Sequence, residues 1–387
     1  MNRFSRGIGV GALLFFLLDY AMGPFFRLPT CLRSRAAPLL QLRQPRPRAG
    51  AASSLPGLRW YTSINNDGLT PLLGAALNSA AEFHPPGMHA LLPHVVVPPG
   101  SAMPRAAALA ARYNASVVHH EVLFAGAMRH HMLHSQGMGE GEVYIALASF
   151  MRVDAALLAA AESLERSPAW VRENLAQAAR AMSARGAAGD TILYTDSDVL
   201  FLGPVAQSVV LGDVPLPGAF AVRRDTLRSV KFNPAVMLVR VSRFLALYED
   251  MLALWAKTEY ACVKSAWDQG CLNLFVEHAG LIQQVGVLPP ELHTVPYDPT
   301  HVDNPPTRIL HFHGPKPDML LGFLEGAARE LPTKGYTGFV TLRPEGYLKA
   351  LLLFAALQDA PTASAAQGNV DAALAPWCKA HPGSVPC

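Results

Sequence analysis

Asp196 and Asp198 stand one residue apart in the stretch TILYTDSDVLFLGPV, residues 191–205, directly after the apolar run Ile192, Leu193, Tyr194. Carboxylates at the edge of a buried run are costly unless a positive group meets them. Side chains alternate along a strand, so residues two apart point the same way, and these two acids can share one cation. Oxygen ligands at a partly open site suit Mg²⁺ or Mn²⁺, which keep positions for a substrate's phosphates. The pair therefore reads as the seat of a divalent ion that holds a diphosphate. The plainer reading is a polar loop at a strand end.

The flanking sequence bears on both readings. LRWYTSI (58–64) has strand character, and TPLLGAALNSAAEF (70–83) follows as a helix with Leu72, Leu73, Ala76 and Leu77 on one face. ALLPHVVV and ASVVHHEVLF read as further strands around an Ala-rich helix over 105–112. A His- and Gly-rich loop comes next, then helical sequence over 143–187 and the strand that ends in the acid pair. AFAVRR and KFNPAVMLVRV are strand-like. Ser242 is placed to cap a helix in which Phe244, Leu247, Met251 and Trp255 recur at helical spacing. Strands alternating with helices predict an α/β fold, a mostly parallel Rossmann-like sheet with helices on both faces. Ligands of such sheets bind beyond the carboxyl ends of the strands, where Asp196 and Asp198 fall.

The chain has 387 residues, 51% of them hydrophobic, enough for a sizeable core. Its net charge of +3 is unevenly spread. Residues 1–60 hold nine Arg and a single acid, Asp19, a net +8, so the remainder carries −5. A mildly acidic main domain argues against a nucleic-acid partner. Arg3 and Arg6 precede the apolar stretch of residues 7–26, which is long enough to span a bilayer although Asp19 and Pro24 interrupt it. No small-x-small cleavage site follows it convincingly, so residues 1–26 are expected to form a short cytoplasmic tail and signal anchor. A cleaved signal or an organellar targeting segment is the alternative. Residues 27–57, rich in Arg, Pro and Ala, are expected to form a disordered stem. The domain proper is assigned to 58–360 and a tail to 361–387. Of five Cys, the pairs Cys262/Cys271 and Cys378/Cys387 have the same spacing, and Cys31 stands alone. Two local disulfides in an oxidising compartment and free buried thiols are both compatible with this. Asn114-Ala115-Ser116 is a single glycosylation sequon. His119, His120, His130, His131 and His134 lack zinc-site spacing and read as a flexible loop. YLKALLLFAALQ (347–358) is too short to span a membrane and is expected to pack as a C-terminal helix.

YTDSDVLFLGPV resembles the Asp-x-Asp strand of GT-A nucleotide-sugar transferases, nearest to the family 8 retaining enzymes such as glycogenins and galactinol synthases. RWYTSINND resembles that family's nucleoside-holding strand and loop. ALASFMRVDAALLA resembles the segment whose Arg reaches the donor, FNPAVMLVRV its Phe-Asn-Ser-Gly-Val-Met strand, WDQGCLN its Asp-Gln segment, and ILHFHGPKP its closing His-x-x-Gly-x-x-Lys-Pro-Trp motif. These ordered matches cover roughly residues 58–320. The resemblance implies a GT-A fold and transfer of a sugar, with retention, from a UDP-sugar to a glycan, protein or small-molecule acceptor. It implies Mn²⁺ or Mg²⁺ held by Asp196, Asp198 and His311. Thr62, Ser63, Asn65, Arg152, Ser197, Asn233, Gly314 and Lys316 would line the donor, with Asp268 and Gln269 at the reacting carbon. A single-pass membrane protein with its catalytic domain in the Golgi or ER lumen follows as an expectation.

Three positions depart from that pattern. Ala235 stands where the family has Gly, one residue instead of two separates Gly314 from Lys316, and Asp318 replaces the Trp. Family 77 transferases share several of the same features. Two other readings belong to different classes: a haloacid-dehalogenase-like phosphatase, with an Asp-x-Asp of its own, and a non-catalytic anchored binding protein of the same fold. If residues 307–313 form a strand, Ile309, His311 and His313 share one face. His311 keeps the family's three-residue spacing to Gly314, and His313 is the competing candidate.

Overall fold

The computed structural model describes residues 57–85, 88–214, 217–224, 232–283, 285–296, 307–314 and 344–358, together with Lys316, Pro317 and Met319. Residues 1–56, which hold the anchor, Cys31 and all of the stem but Gly57, lie outside the described residues, as do Asp318 and the tail with Cys378 and Cys387.

Seven strands form the main sheet. They are β1 (Leu58–Ser63), β2 (Leu91–Val97), β3 (Ser116–His119), β4 (Thr191–Asp196), β6 (Phe220–Arg224), β7 (Phe232–Arg240) and β8 (Gly286–Val287), in the order β3-β2-β1-β4-β7-β6-β8. The first four run parallel, β7 is antiparallel to both its neighbours, and β8 is parallel to β6. The expected mostly parallel α/β sheet is present, with one reversed strand inside it. Because β7 runs backwards, its first residues lie at the carboxyl end of β4.

Helices α1 (Thr70–Phe83) and α2 (Pro104–Arg112) supply one apolar layer, where Leu73, Leu77 and Leu109 meet Trp60, Leu193 and Val236. The opposite face is covered by α3 (Ala125–His134), α4 (Glu140–Ser149), α5 (Met151–Leu164), α6 (Pro168–Glu173), α7 (Leu175–Ser183), α10 (Val241–Lys257) and α11 (Val263–His278), packed around Tyr61, Ile192, Tyr194 and Met237. The short helices α8 (Gly186–Gly189) and α9 (Val205–Val210) lie beside β4 and β5 in sequence. A separate two-stranded ribbon pairs β5 (Val199–Phe201) with β9 (Ile309–His311), antiparallel. Helix α12 (Pro344–Ala356) closes it, with Tyr347, Leu351 and Phe354 against Leu200, Leu310 and Phe312. The expected C-terminal packing helix is this element. Among the described residues no single helix is long and apolar enough to cross a membrane.

Four local expectations need correction. The strand read over 115–124 stops at His119, because the buried carboxylate of Asp154 takes His120 Nε2 (2.8 Å) and the Leu123 amide (2.9 Å) and pulls the chain off the sheet. The His-rich stretch is helical over Ala125–His134, with Ala125, Met128 and Met132 buried at helical spacing behind the histidines. The helical sequence of 143–187 is several helices, broken at Phe150 and at Glu165, whose left-handed backbone (φ 53°) ends α5. Ser242 is not a cap but the second residue of α10. Its amide and hydroxyl both donate to Asp190, at 2.7 and 2.5 Å, so a carboxylate from outside the helix serves its N-terminus. Of the two cysteine readings, the disulfide between Cys262 and Cys271 is formed, with Cα atoms 4.7 Å apart.

Candidate metal and donor site

Strand β4 delivers Asp196 as its last residue, and Asp198 follows before β5 begins. Antiparallel pairing then brings the third member of the group. Val199 lies opposite His311, and the Phe312 amide donates to the Asp198 carbonyl at 2.9 Å, so the end of β9 is held beside the acid pair. One ligand atom each from Asp196, Asp198 and His311 lie within 4.8 Å of one another. No sequence-local reason joins His311 to residues more than a hundred positions earlier; the ribbon does it.

The charges around these atoms are only partly balanced. Arg152, in the first turn of α5, donates from Nη2 to Asp196 (3.0 Å) and pairs through Nε with Asp268 (2.5 Å). It also lies over the Tyr194 ring, 5.6 Å from the ring centre. Lys316 meets Asp198 Oδ2 and donates to the Phe312 carbonyl at 3.0 Å. Three carboxyl groups thus face one guanidinium and one amine. Asp198 Oδ1 is buried without a hydrogen-bond partner among the described residues, and His311 Nε2 lies 3.6 Å from it. A buried, unmet carboxylate oxygen with a ring nitrogen just beyond hydrogen-bond reach suits a shared divalent cation.

The same arrangement shifts the titrating groups. Burial raises Asp196 to about 7, with Asp198 and Asp268 adding and Arg152 opposing; 29% of its side chain still reaches solvent, which leaves a path for a ligand. Asp268 is also raised by burial, against the pull of Arg152 and a Ser149 hydrogen bond. Burial works against the charge on Arg152, but Asp196 and Asp268 outweigh it and fix the guanidinium as a cation. His311 lies well below its ordinary range through burial and then the nearby His313 and Lys316, so its ring is neutral and can offer a lone pair.

The remaining predicted site residues divide into several groups. Ser63 shares the Asp196 side of the sheet, 2.7 Å from the Tyr194 hydroxyl, whereas Thr62 is fully buried on the other face in register with Thr195. The Asn65 carbonyl accepts from the exposed Tyr144 at 3.0 Å. Ser197 is buried between the two acids in sequence. The reversed strand β7 brings Asn233 to this end of the sheet, where its Oδ1 accepts from the Ala235 amide (2.9 Å). Gln269 Nε2 donates to the Phe232 carbonyl at 3.0 Å. Gly314 has φ 91°, the left-handed turn that returns the chain so that Lys316 can reach Asp198. The strand read over 307–313 ends at His311. The His313 amide turns back onto the His311 carbonyl (2.8 Å), and its ring sits 5.4 Å from that of His311, outside the three-residue group.

Three participants carried no sequence signal. Tyr194 reads as core. Asn273 makes paired bonds to the Phe232 backbone, at 2.9 Å each, one helical turn beyond Gln269. His293 lies in an irregular segment with no motif, yet its Nε2 is 3.0 Å from His311 Nδ1.

No protein-family model and no curated protein matches this chain. Several solved structures resemble it distantly. A galactosyltransferase LgtC in complex with donor and acceptor sugar analogs is 18% identical, covering 74% of this chain and 95% of its own, with a TM-score of 0.44. Mouse xyloside xylosyltransferase 1 in its apo form is 14% identical over 66% of this chain and 98% of its own, with a TM-score of 0.41. The apo form of the glycosyltransferase GlyE of Streptococcus pneumoniae is 14% identical over 68% of this chain and 56% of its own, with a TM-score of 0.43. Likeness this distant decides nothing about activity.

Proposed function

We propose that this chain is a metal-dependent glycosyltransferase of the GT-A type, moving a sugar from a UDP-sugar to an acceptor hydroxyl with retention. The observation that carries the reading is the unmet, buried Asp198 Oδ1 facing the His311 ring beside Asp196. Asp196, Asp198 and His311 would hold Mn²⁺ or Mg²⁺, and the bound ion supplies Lewis-acid neutralisation of a diphosphate leaving group. A divalent ion would add positive charge to this carboxyl-rich group, which suits a diphosphate.

The chain's own groups do the rest. Lys316, at the end of a glycine turn, places a point charge at the metal edge and serves the phosphates once Asp198 is otherwise engaged. Arg152 holds Asp196 and Asp268 at fixed separation. Asp268 and Gln269 face the donor sugar from α11, and Ser63, Asn65 and Asn233 border the nucleoside and sugar space. Transfer breaks the anomeric C–O bond to the diphosphate and forms one to the acceptor oxygen, whose proton passes to the departing diphosphate. Gln269 is the group we place at the cationic face of the anomeric carbon.

Incubating the purified domain with a panel of UDP-sugars and Mn²⁺ tests this directly. Release of free UDP that disappears in Asp198→Ala supports the transferase. Release of inorganic phosphate instead supports a phosphatase, and release of neither supports a binding protein. For location, we propose a membrane anchor over residues 7–26 with the domain in the Golgi or ER lumen, a compartment that permits the Cys262–Cys271 bond. Retention in the membrane after carbonate washing supports the anchor; a mature N-terminus beyond residue 22 overturns it.

A further inference from the structure

His293 is fully buried and belongs to none of the matched motifs. It is delivered by the segment that flanks β9: the Thr294 amide donates to the Ile309 carbonyl (2.9 Å), and the His311 amide donates to the Thr294 carbonyl (2.8 Å). Arg223 of β6 holds the His293 carbonyl at 2.8 Å. This backbone clamp aims His293 Nε2 at His311 Nδ1, 3.0 Å away, while His311 Nε2 faces the acids.

A single N–H···N bond between the two rings can run in either of two directions. One nitrogen of the contact must carry the proton and the other must accept it. For His311 to offer Nε2 as a metal ligand, its proton must sit on Nδ1, so His293 Nε2 must be the acceptor. The remaining proton of His293 then lies on its own Nδ1, which is buried and has no hydrogen-bond partner among the described residues. Burying a ring with half its polar capacity unmet costs stability. An apolar residue would fill the same place at less cost, so the ring's use is its bond to His311. Metal-ligating histidines commonly have their second nitrogen fixed this way by a partner, with 10–100-fold effects on affinity when the partner is removed.

We infer that His293 is a positioning residue for the metal site, holding His311 in the tautomer and orientation that present Nε2 to the cation. The inference rests on the metal reading above and adds to it a determinant of ion affinity that touches neither ion nor substrate.

The test uses Mn²⁺ alone as probe, titrated into the purified full-length chain and followed by water-proton relaxation. His293→Leu should weaken Mn²⁺ binding by about 10–100-fold, and His293→Gln, whose amide oxygen can take the place of Nε2, should recover most of it. With Zn²⁺ as a diamagnetic stand-in, ¹⁵N spectra of the wild type should show His311 protonated at Nδ1. Asp198→Asn separates the two claims. If it weakens Mn²⁺ binding while His293→Leu does not, the role of His293 is overturned and the metal site stands. If Mn²⁺ binding survives Asp198→Asn, the metal site falls and His293 with it. Should His293→Leu fail to fold, the absence of a ¹⁵N–¹⁵N coupling across the His311 Nδ1–H···Nε2 His293 contact in the Zn²⁺-loaded wild type overturns the inference while the metal site stands.

Discussion

Replacing Arg152 by Met removes one buried cation from among three carboxylates, and its cost can be worked from the geometry. Arg152 is only 7% exposed, and its two partners differ: Asp196 retains a path to solvent, whereas Asp268 is 3% exposed. Without the guanidinium, Asp196 can recover part of its hydration, but Asp268 is left as an isolated buried charge. Breaking such a pair from one side costs about 3–5 kcal/mol. Asp268 can escape only by taking up a proton, and its pKa is already raised by burial. In the variant the folded state therefore binds protons that the unfolded chain, with a carboxyl near 3.8, releases. Stability then falls as pH rises, so the deficit should be larger at about pH 8 than at about pH 5. Urea unfolding in the presence of a chelator at both pH values measures it. Adding Asp268→Asn to Arg152→Met removes the stranded charge and should restore most of the loss. A deficit below about 1 kcal/mol, or no recovery in the double variant, would refute the claim that Arg152 serves as the counter-charge of this site.

Asp198→Ala should keep a cooperative thermal transition while losing Mn²⁺-dependent turnover, since its unmet oxygen serves a ligand and not the core; loss of the transition would contradict this. His84 gives a pH signature elsewhere in the fold. Burial lowers its pKa, and its Nε2 accepts the Val205 and Ala206 amides at 3.1 and 3.2 Å while Nδ1 donates to Ala80. The unfolded histidine protonates first, so stability is full above about pH 6.5 and is lost as pH falls below it; thermal melts of His84→Gln should lack that part of the slope. Opening the Cys262–Cys271 bond, which closes a loop of sequence separation 9, should cost about 2–3 kcal/mol on loop entropy, measured as a shift in unfolding of Cys262→Ser with Cys271→Ser. An unchanged midpoint would show that the helix start is held without it.

Much of this site was legible because its determinants are local. The acid pair falls at a strand end that apolar periodicity marks, and Asn233 and Gln269 sit in segments that carry a family pattern. Arg152 was legible only through that resemblance, because nothing in a helix-face arginine says that it bridges Asp196 and Asp268. Local reading failed where a distant side chain dictates the backbone. Asp154 ends β3, and Asp190 takes the role expected of Ser242, yet neither acid sits near its effect in sequence. The histidines of Ala125–His134 hid the buried spacing of Met128 and Met132. His293 was out of reach, since its meaning lies in a contact across 18 positions between an irregular segment and a three-residue strand.

The ribbon that brings His311 to Asp196 and Asp198 also sets the order in which these residues can come together. Asp198 leaves the ribosome long before its partners His311 and Lys316, and the α12 residues that pack behind β5 and β9 extend to Ala355, 157 positions later. At ordinary elongation rates that interval is roughly 8–30 s. For most of that interval a nascent chain carries the parallel strands β1–β4 with the two acids but without His311 or Lys316, many times longer than a helix needs to form. The group of Asp196, Asp198 and His311 cannot assemble until β9 has been made, so a chain that stops before residue 309 would hold the acid pair without His311.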